Sequence, residues 1–196
     1  MMRPDLFEIV EYAVQRGLRV SVSPTTTALT TRDRMERLRD LGVQMIHVSL
    51  DGARAETHDA FRGFAGTFDR VLRILGDLRD IGMPVQVGTT VTRGNVAELP
   101  DMVELMAGHG VRMWNLFFLV PTGRGRGLDM VDPETAEQTW EWMCELSEQG
   151  RFGIRTTAAP QFRRTMLRRT RAKAEGAPVR LTGAGYQFRE APAGVQ

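Results

Sequence analysis

Cysteine is almost absent from this sequence, which contains only Cys144. One thiol cannot form a disulfide within the chain, and it cannot by itself hold a cluster that needs several thiolate ligands. Cys144 follows Trp140 by four residues and lies next to Met143, so a helix would present these side chains on one face. We therefore expect Cys144 to be a core residue, because unreactive cysteine behaves as a small hydrophobic side chain.

The sequence also lacks any apolar run of the roughly 18 residues that indicate a membrane-spanning helix. Its beginning, MMRPDLFEIVEYAVQRG, lacks the basic segment followed by an apolar segment that characterises a secretory signal peptide. The spacing of its apolar residues is instead typical of an amphipathic helix. These absences argue against a membrane partner, and we expect a cytoplasmic protein.

Lysine is equally scarce, since Lys173 is the only lysine among 26 basic residues. Residues 151–196 contain ten basic and two acidic residues, whereas residues 1–150 contain sixteen and twenty-two. A basic tail can bind nucleic acid or an acidic partner, and it can equally be the solvated surface of a helix. We favour the helix surface and disfavour nucleic acid, because the tail has few aromatic residues for stacking on bases.

The sequence does contain a repeated pattern of a glycine, a short apolar run and then hydroxyl, acidic or glycine residues. Amphipathic helical segments separate the repeats, with Thr67, Asn95 and Asp132 as candidate N-caps. Strands that alternate with helices are predicted to be parallel, because each helix carries the chain back across the sheet. The sequence thus predicts an α/β fold, and its period suits both an open doubly wound sheet and a barrel. The repeats begin at Gly17, Gly42, Gly82, Gly110 and Gly150.

Polar side chains follow each predicted strand. Because parallel strands end at the same edge of a sheet, these side chains are expected to gather on one rim, where α/β proteins bind ligands. Turns favour the same residue types, so one threonine indicates little, whereas the whole set favours a binding surface. The set consists of Ser23, Thr25, Ser49, Asp51, Thr89, Thr90, Thr92, Asn95, Thr122, Arg124, Arg126, Thr156 and Thr157.

The histidines and the glycine-rich loop give weaker signals. His47, His58 and His109 lack the neighbours of a Ser-His-Asp triad. We expect structural roles for His47 within a strand and for His109 at a helix end, and we leave His58 open. The segment PTGRGRGLD has two arginines that can hold an anion, but it matches neither the Walker pattern nor G-x-G-x-x-G. It is either a phosphate loop or an exposed loop.

Three segments are more specific together than any single motif. In this order, VSLDGARAETHDAFRGFAGTFDRVLRIL, GMPVQVGTTVTRGNVAELPDMVEL and VRMWNLFFLVPTGRG resemble the central and later part of radical S-adenosylmethionine (SAM) enzymes. The resemblance covers roughly residues 3–165 and is closest to maturases with a C-terminal SPASM-type cluster domain. We therefore predict a partial radical SAM core at 1–165, from the third strand onward with a C-terminal extension. Residues 166–196 are predicted to be a basic tail or linker containing glycine and proline.

The resemblance implies an incomplete (β/α)6 barrel of the TIM type, with SAM and a [4Fe–4S] cluster at the carboxyl ends of its parallel strands. In such enzymes, reduction of SAM starts radical chemistry on a substrate, here unknown and either a peptide or another small molecule. Arg62 suits the SAM carboxylate through paired hydrogen bonds, while Ser49 and Asp51 can bind its hydroxyl or ammonium groups. Phe118 is expected against the adenine, with core packing as its alternative. The full set of expected SAM-binding residues is Ser23, Ser49, Asp51, Arg62, Thr90, Asn95, Phe118 and Leu119, and no metal ligand or catalytic residue is assigned.

The sequence lacks two defining elements of the family pattern. The C-x-x-x-C-x-x-C motif that binds the cluster is missing, and so is the glycine-glycine-acid loop that meets the SAM ammonium. We therefore expect a fragment that begins after two βα units, ends before the cluster domain and is inactive alone, with an unpaired sheet edge. It is either a truncated reading frame or one half of an enzyme whose N-terminal half is encoded separately. A cluster-free module that binds SAM or another metabolite, and a phosphate-binding α/β enzyme, are the alternatives.

Overall fold

The computed structural model describes residues 3–157 and 159–174, along which helices and strands alternate with one additional helix before the third strand. None of the helices in this part of the chain is long and apolar enough to cross a membrane. The strands are β1 (Ser21–Val22), β2 (Met45–Ser49), β3 (Val85–Val91), β4 (Met113–Phe118) and β5 (Gly153–Thr157). The helices are α1 (Leu6–Gln15), α2 (Arg32–Asp40), α3 (Ala55–Arg62), α4 (Thr67–Asp80), α5 (Leu99–Gly108), α6 (Pro133–Glu148) and α7 (Gln161–Ala174).

The five strands form one sheet in the order β1-β2-β3-β4-β5, and every neighbouring pair is parallel. The predicted α/β fold with parallel strands is therefore confirmed. The spatial order follows the chain order without a reversal, whereas a doubly wound sheet reverses its order at one point. Right-handed crossovers between successive strands place the connecting helices on the same face. The sheet is thus the wall of an incomplete barrel.

Alternating strand residues divide the sheet into an apolar face and a polar face. On the apolar face, Val48, Val87 and Leu116 are at most 1% exposed beneath the helices. The Trp114 ring on the same face meets Trp142 of α6 edge to face, with ring centroids 6.2 Å apart. The opposite side, called the polar face below, consists of His47, Ser49, Gln86, Gly88, Thr90, Asn115, Arg155 and Thr157, together with Met113 and Phe117.

Several local predictions differ from the structure. The sequence predicted no helix over residues 55–62, which form α3, because an eight-residue helix with His58 as its only buried residue has no apolar stripe. Thr67 is the first residue of α4, and Gly66, in the left-handed conformation, occupies the N-cap position. Asn95 makes no capping hydrogen bond. Asp132 does cap α6 as predicted, since its side chain accepts a hydrogen bond from the Thr135 N–H at 2.9 Å.

Cys144 is a core residue, as predicted from its spacing. It lies on α6 and is 5% exposed, beside the buried side chains of Trp140 and Met143. Burial raises the pKa of its thiol to about 11. An uncharged, buried thiol has no nucleophilic or metal-binding role at neutral pH.

The basic residues of α7 face the acidic residues of α6. This pairing supports the interpretation of the charge as a helix surface for residues 161–174, while residues 175–196 lie outside the described residues. The predicted boundary after residue 165 falls within α7, and the division into core and tail stays a prediction. The pairs are Arg164 with Glu137, Arg168 with Glu141, and Arg169 with Glu141, Glu145 and Glu148.

Candidate functional site

Asp51 lies just after β2 ends at Ser49. We call the carboxyl ends of β2 and β3, with Ser49, Asp51, Thr90 and Asn95, the polar edge. Its side chain is fully buried, and its Oδ1 accepts a hydrogen bond from the Thr90 N–H at 2.7 Å. Its Oδ2 forms an ion pair with the guanidinium of Arg62. Burial raises the pKa of Asp51 above its usual value, and the charge of Arg62 and the hydrogen bond from Thr90 oppose this rise. Arg62 therefore stabilises the ionised form of the Asp51 carboxylate, which burial alone disfavours.

Arg62 is held by Asp51 and remains accessible. Its side chain is 35% exposed, although its partner carboxylate is fully buried. The guanidinium carbon also lies 5.6 Å from the centre of the Phe61 ring. A guanidinium has five N–H donors, and one carboxylate oxygen leaves most of them for another acceptor. Arg62 can thus bind an anionic group while Asp51 fixes its position.

His58 takes a structural role beneath this pair. Its Nδ1 accepts a hydrogen bond from the Asp51 N–H at 3.0 Å, and the residue is 1% exposed. Burial, together with the charge of Arg62, lowers the pKa of His58 to about 4. The ring is therefore neutral at pH 7 and carries its proton on Nε2, for which the described residues offer no hydrogen-bond partner. The histidine left open by the sequence is a positioning residue for Asp51.

Asn95 joins the ends of β2 and β3. Its Nδ2 donates hydrogen bonds to the backbone oxygens of Asp51 at 2.9 Å and Thr90 at 2.8 Å. Its Oδ1 accepts one from the Thr92 N–H at 2.8 Å, and the side chain is buried. An amide that donates twice and accepts once is a fixed connection between strands. Asn95 therefore shapes the edge and presents little free polar surface.

Glu98 and Gly52 belong to the same edge, and the sequence analysis missed both. A carboxylate oxygen of Glu98 accepts a hydrogen bond from the Ala53 N–H at 2.7 Å, and the other accepts one from the Thr57 hydroxyl. A Cβ on Gly52 would lie 2.9 Å from the backbone nitrogen of His58. The chain thus turns sharply from β2 into α3, which a glycine allows and a larger residue would obstruct.

Asp59 points away from His58 and caps the next helix. One oxygen accepts hydrogen bonds from the Phe68 N–H at 2.8 Å and the Thr67 hydroxyl at 2.6 Å. The other accepts one from the Gly66 N–H at 2.6 Å, and these donors lower the pKa of Asp59. The adjacent His58 and Asp59 therefore serve different contacts and form no common site, because neighbouring residues of a helix point in different directions.

The remaining expected SAM-binding residues do not all face the edge. Ser49 ends β2 on the polar face, and Ser23 follows β1 and is exposed. Phe118 packs against Trp140 of α6 with ring centroids 5.4 Å apart, which places it on the apolar face. Its geometry thus supports core packing, the alternative given for this residue. Leu119 is half-buried, and its N–H donates to the Val91 oxygen at 3.2 Å.

The wider rim is also divided between the two faces. The Thr89 hydroxyl donates a hydrogen bond to the Leu50 oxygen at 2.6 Å and accepts one from the Trp114 indole at 2.8 Å, within the core. The PTGRGRGLD segment includes a 3-10 turn over Gly123–Gly127, after β4, with Arg126 exposed. The side chain of Arg124 lies outside the described part of the structure. The rim is therefore narrower than the sequence predicted.

Four polar residues of the polar face were not recognised as one group from the sequence. Gln86 and Asn115 are 3% and 2% exposed, respectively, although they lie opposite the helices. Arg155 pairs in register with Asn115, and its buried Nε has no hydrogen-bond partner among the described residues. Burial and the charge of Arg155 lower the pKa of His47. The alternation of β2 to β5 was the signal that could have placed these residues on one face.

The residues present fit SAM and do not fit an iron–sulfur cluster. Arg62 offers an anchored cation for a carboxylate, and the hydroxyls of Ser49 and Thr90 lie on the same face as possible partners for polar groups. The only cysteine is buried on α6, far along the chain from this edge. In residues 3–157 and 159–174, no three His, Cys, Asp or Glu side chains come together as a metal site. Ligands for a cluster are not among these residues.

Comparison with known proteins gives concordant results. The model of the radical SAM superfamily matches residues 1–106. An AdoMet-dependent heme synthase of Methanosarcina barkeri is 41% identical over 187 residues, which cover 95% of this chain and 53% of that protein. An Fe-coproporphyrin III synthase of the same organism is 36% identical over 124 residues, which cover 63% and 31%.

The fold has known structural neighbours. The structure of Streptococcus suis SuiB bound to S-adenosylmethionine matches with a TM-score of 0.67 and 10% identity, over 79% of this chain and 36% of that chain. This likeness shows the fold of a partial barrel. The chain spans about half the length of the heme synthases that it matches. From the matched family and the parallel barrel wall together, we conclude that the chain belongs to the radical SAM superfamily.

Proposed function

We propose that the chain forms the later part of the barrel of a radical SAM enzyme and binds SAM at the polar edge. The observation that supports this proposal is the Asp51–Arg62 pair, in which a fully buried carboxylate fixes a partly exposed guanidinium. The neighbouring backbone is fixed as well, since Asn95 ties together the ends of β2 and β3. A preformed edge of this kind loses little conformational entropy when a ligand binds.

In this proposal, each residue has a distinct task. Arg62 binds the carboxylate of SAM, while Ser49, Thr90 and the exposed Ser23 hydrogen-bond to its other polar groups. Asp51, His58 and Asn95 act through their neighbours and position Arg62 and the strand ends. SAM would supply the radical chemistry of this family if it were bound beside a cluster. The protein orients the reactants and excludes water.

We further propose that a [4Fe–4S] cluster is held by cysteines outside these 196 residues, as in the fragment or split-enzyme hypotheses. DNA upstream of Met1, translated in all frames, should then contain C-x-x-x-C-x-x-C within about 70 residues, the length of two βα units. A separate neighbouring gene with the same motif would support the split enzyme. If neither place has the motif, the cluster proposal is wrong, and a cluster-free SAM-binding module becomes the better description.

The substrate class is proposed from the relatives. A relative that covers almost the whole chain is named a heme synthase, and another is named for Fe-coproporphyrin III. These names favour a tetrapyrrole over the peptide that the resemblance to maturases suggested. We also propose the division into a core at 1–165 and a tail at 166–196, and a cytoplasmic location, where reducing conditions preserve thiolate ligands.

Calorimetry with the purified chain tests SAM binding without iron. We expect Arg62→Gln to weaken SAM binding at least tenfold, because the variant loses a charge-assisted hydrogen bond. Arg163→Gln is the matched control, since it removes the same charge from an exposed position on α7. No heat at millimolar SAM, or equal weakening by both substitutions, would contradict binding at this edge.

A further inference from the structure

Arg155 is a charged residue of the polar face for which the described residues offer no anionic partner. Its side chain is half-buried on β5, and the Nε is buried without a hydrogen-bond partner among the described residues. Arg62 pairs with Asp51, and Arg169, whose Nε is also unpartnered, pairs with Glu141. Half-buried Arg70 donates to the backbone oxygen of Thr26. Leaving a buried N–H donor unpaired costs free energy. A cation in this state lacks an anionic partner that a ligand can supply.

The two polar-face residues that the structure relates to Arg155, Asn115 by register and His47 by charge, carry no negative charge. Asn115 is its partner in register on β4, and the Oδ1 of Asn115 already accepts a hydrogen bond from the Thr157 hydroxyl at 3.1 Å. The Nδ2 of Asn115 is a donor, so a ligand group beside Asn115 and Arg155 should be a hydrogen-bond acceptor. On β2, burial and the positive charge of Arg155 lower the pKa of His47, which favours its neutral ring. Arg155 and the Asn115 amide are therefore suited to bind an anion.

Arg155 lies on the same face of the sheet as the proposed SAM site, at a separate position. Ser49, Gly88, Asn115 and Arg155 stand side by side in one row across four strands. Three spacings of about 4.8 Å separate the first strand of this row from the last along the curved sheet. Gly88 has no side chain, and the Phe117 ring lies close to it, 3.3 Å from where a Cβ would be. Arg155 and the proposed SAM site therefore lie on the same face, at positions separated by two strands.

Resting on the proposed function, we propose that Arg155 and the Asn115 amide bind a carboxylate group of the substrate on the polar face. The two planar donors match the two oxygens of a carboxylate better than they match a single hydroxyl or an amide oxygen. The site holds the substrate on the β4–β5 side, while Arg62 holds SAM on the β2–β3 side. One face thus binds two anionic groups at separate positions.

Fluorescence titration of the full chain with metal-free coproporphyrin III tests this site. This tetrapyrrole carries four carboxylates, and its tetramethyl ester has the same ring without them. We expect the wild-type chain to bind the acid at least tenfold more tightly than the ester. Arg155→Gln should remove this preference, whereas Arg163→Gln should keep it. Arg155→Lys, which keeps the charge but loses the planar donors, should bind the acid with intermediate affinity.

Calorimetry with SAM on the same variants separates this proposal from the proposed function. Arg155→Gln should bind SAM like the wild-type chain, which also shows that the variant is folded. If Arg155→Gln does not fold, the comparison of Arg155→Lys with Arg163→Gln decides the question. An acid-over-ester preference that is absent in the wild type, or that survives in the Arg155 variants, overturns the carboxylate site alone. Loss of SAM binding by the wild type overturns the proposed function instead.

Discussion

At the scale of single residues, the polar edge depends on groups that do not face a ligand. Burial raises the pKa of Asp51, and the charge of Arg62 and the hydrogen bond from the Thr90 N–H oppose this rise. His58 fixes the backbone of the same residue through its Nδ1. Breaking a buried ion pair by removing one partner is costly, because the other charge is left without compensation. The edge is therefore rigid before a ligand arrives.

His58 predicts a pH dependence of stability. Its pKa is lowered from 6.5 to about 4 in the folded chain, so between these values the unfolded chain binds a proton that the native chain does not. Stability is therefore lost as the pH falls from about 6.5 to 4, by as much as about 3 kcal/mol. His58→Gln, which does not titrate, should lose less stability than the wild type over this range. Urea unfolding at pH 7, 6 and 5 measures the difference.

The control for this prediction is His109→Gln. His109 lies at the end of α5, where its Nδ1 contacts the Leu105 oxygen at 2.8 Å. This variant should keep the pH dependence of the wild type. A wild-type pH dependence in His58→Gln would show that the ring of His58 is not kept neutral by the fold.

The sequence indicated which residues lie at the edge better than it indicated the contacts that they make there. Asp51, Arg62 and Asn95, which the resemblance selected as SAM-binding residues, lie together at one edge in the structure, and their part in SAM binding stays a prediction. Their roles could not be read from the sequence, because the Asp51–Arg62 pair and the Asn95 connection depend on how β2, α3 and β3 pack. The same holds for Arg155 and His47, which lie more than 100 positions apart in the sequence.

At the scale of elements, the turn from β2 into α3 determines where Arg62 points. Asp51 and Gly52 follow the end of β2, and Glu98 accepts hydrogen bonds from Ala53 and Thr57 at the start of α3. Asp59 then fixes the start of α4. The sequence predicted β2 and α4 because both have clear apolar periodicity. It missed α3, since tertiary hydrogen bonds rather than an apolar stripe stabilise this short helix.

Two glycine substitutions test the tight turn. Gly52→Ala should destabilise the chain by about 1–3 kcal/mol, because the new Cβ would meet backbone at 2.9 Å. Gly76→Ala, within α4, should stabilise it by about 0.5–1 kcal/mol, because a Cβ there meets nothing within 4 Å and alanine favours helix. Urea unfolding measures both. Equal effects of the two substitutions would contradict the close approach at Gly52.

At the scale of the whole molecule, one face of the sheet packs against helices, and the other is the face for which we propose ligand binding. Arg155 lies on the polar face at β5, and Arg62 pairs with Asp51 beyond the carboxyl end of β2. The repeat pattern was sufficient to predict the α/β class and parallel strands, because period and connection length depend on local sequence. Choosing the barrel over the doubly wound sheet required the strand order, which the repeat pattern does not contain.

Binding of SAM at the polar edge is the central claim, and NMR with the ¹⁵N-labelled chain tests it most directly. We expect SAM to shift the backbone amide signals of residues 49–52, 88–92 and Asn95 in a saturable way. The amides of α6 and α7, on the far side of the sheet, should not move. Shifts confined to those helices, or no saturable shift at the edge at millimolar SAM, would contradict the claim.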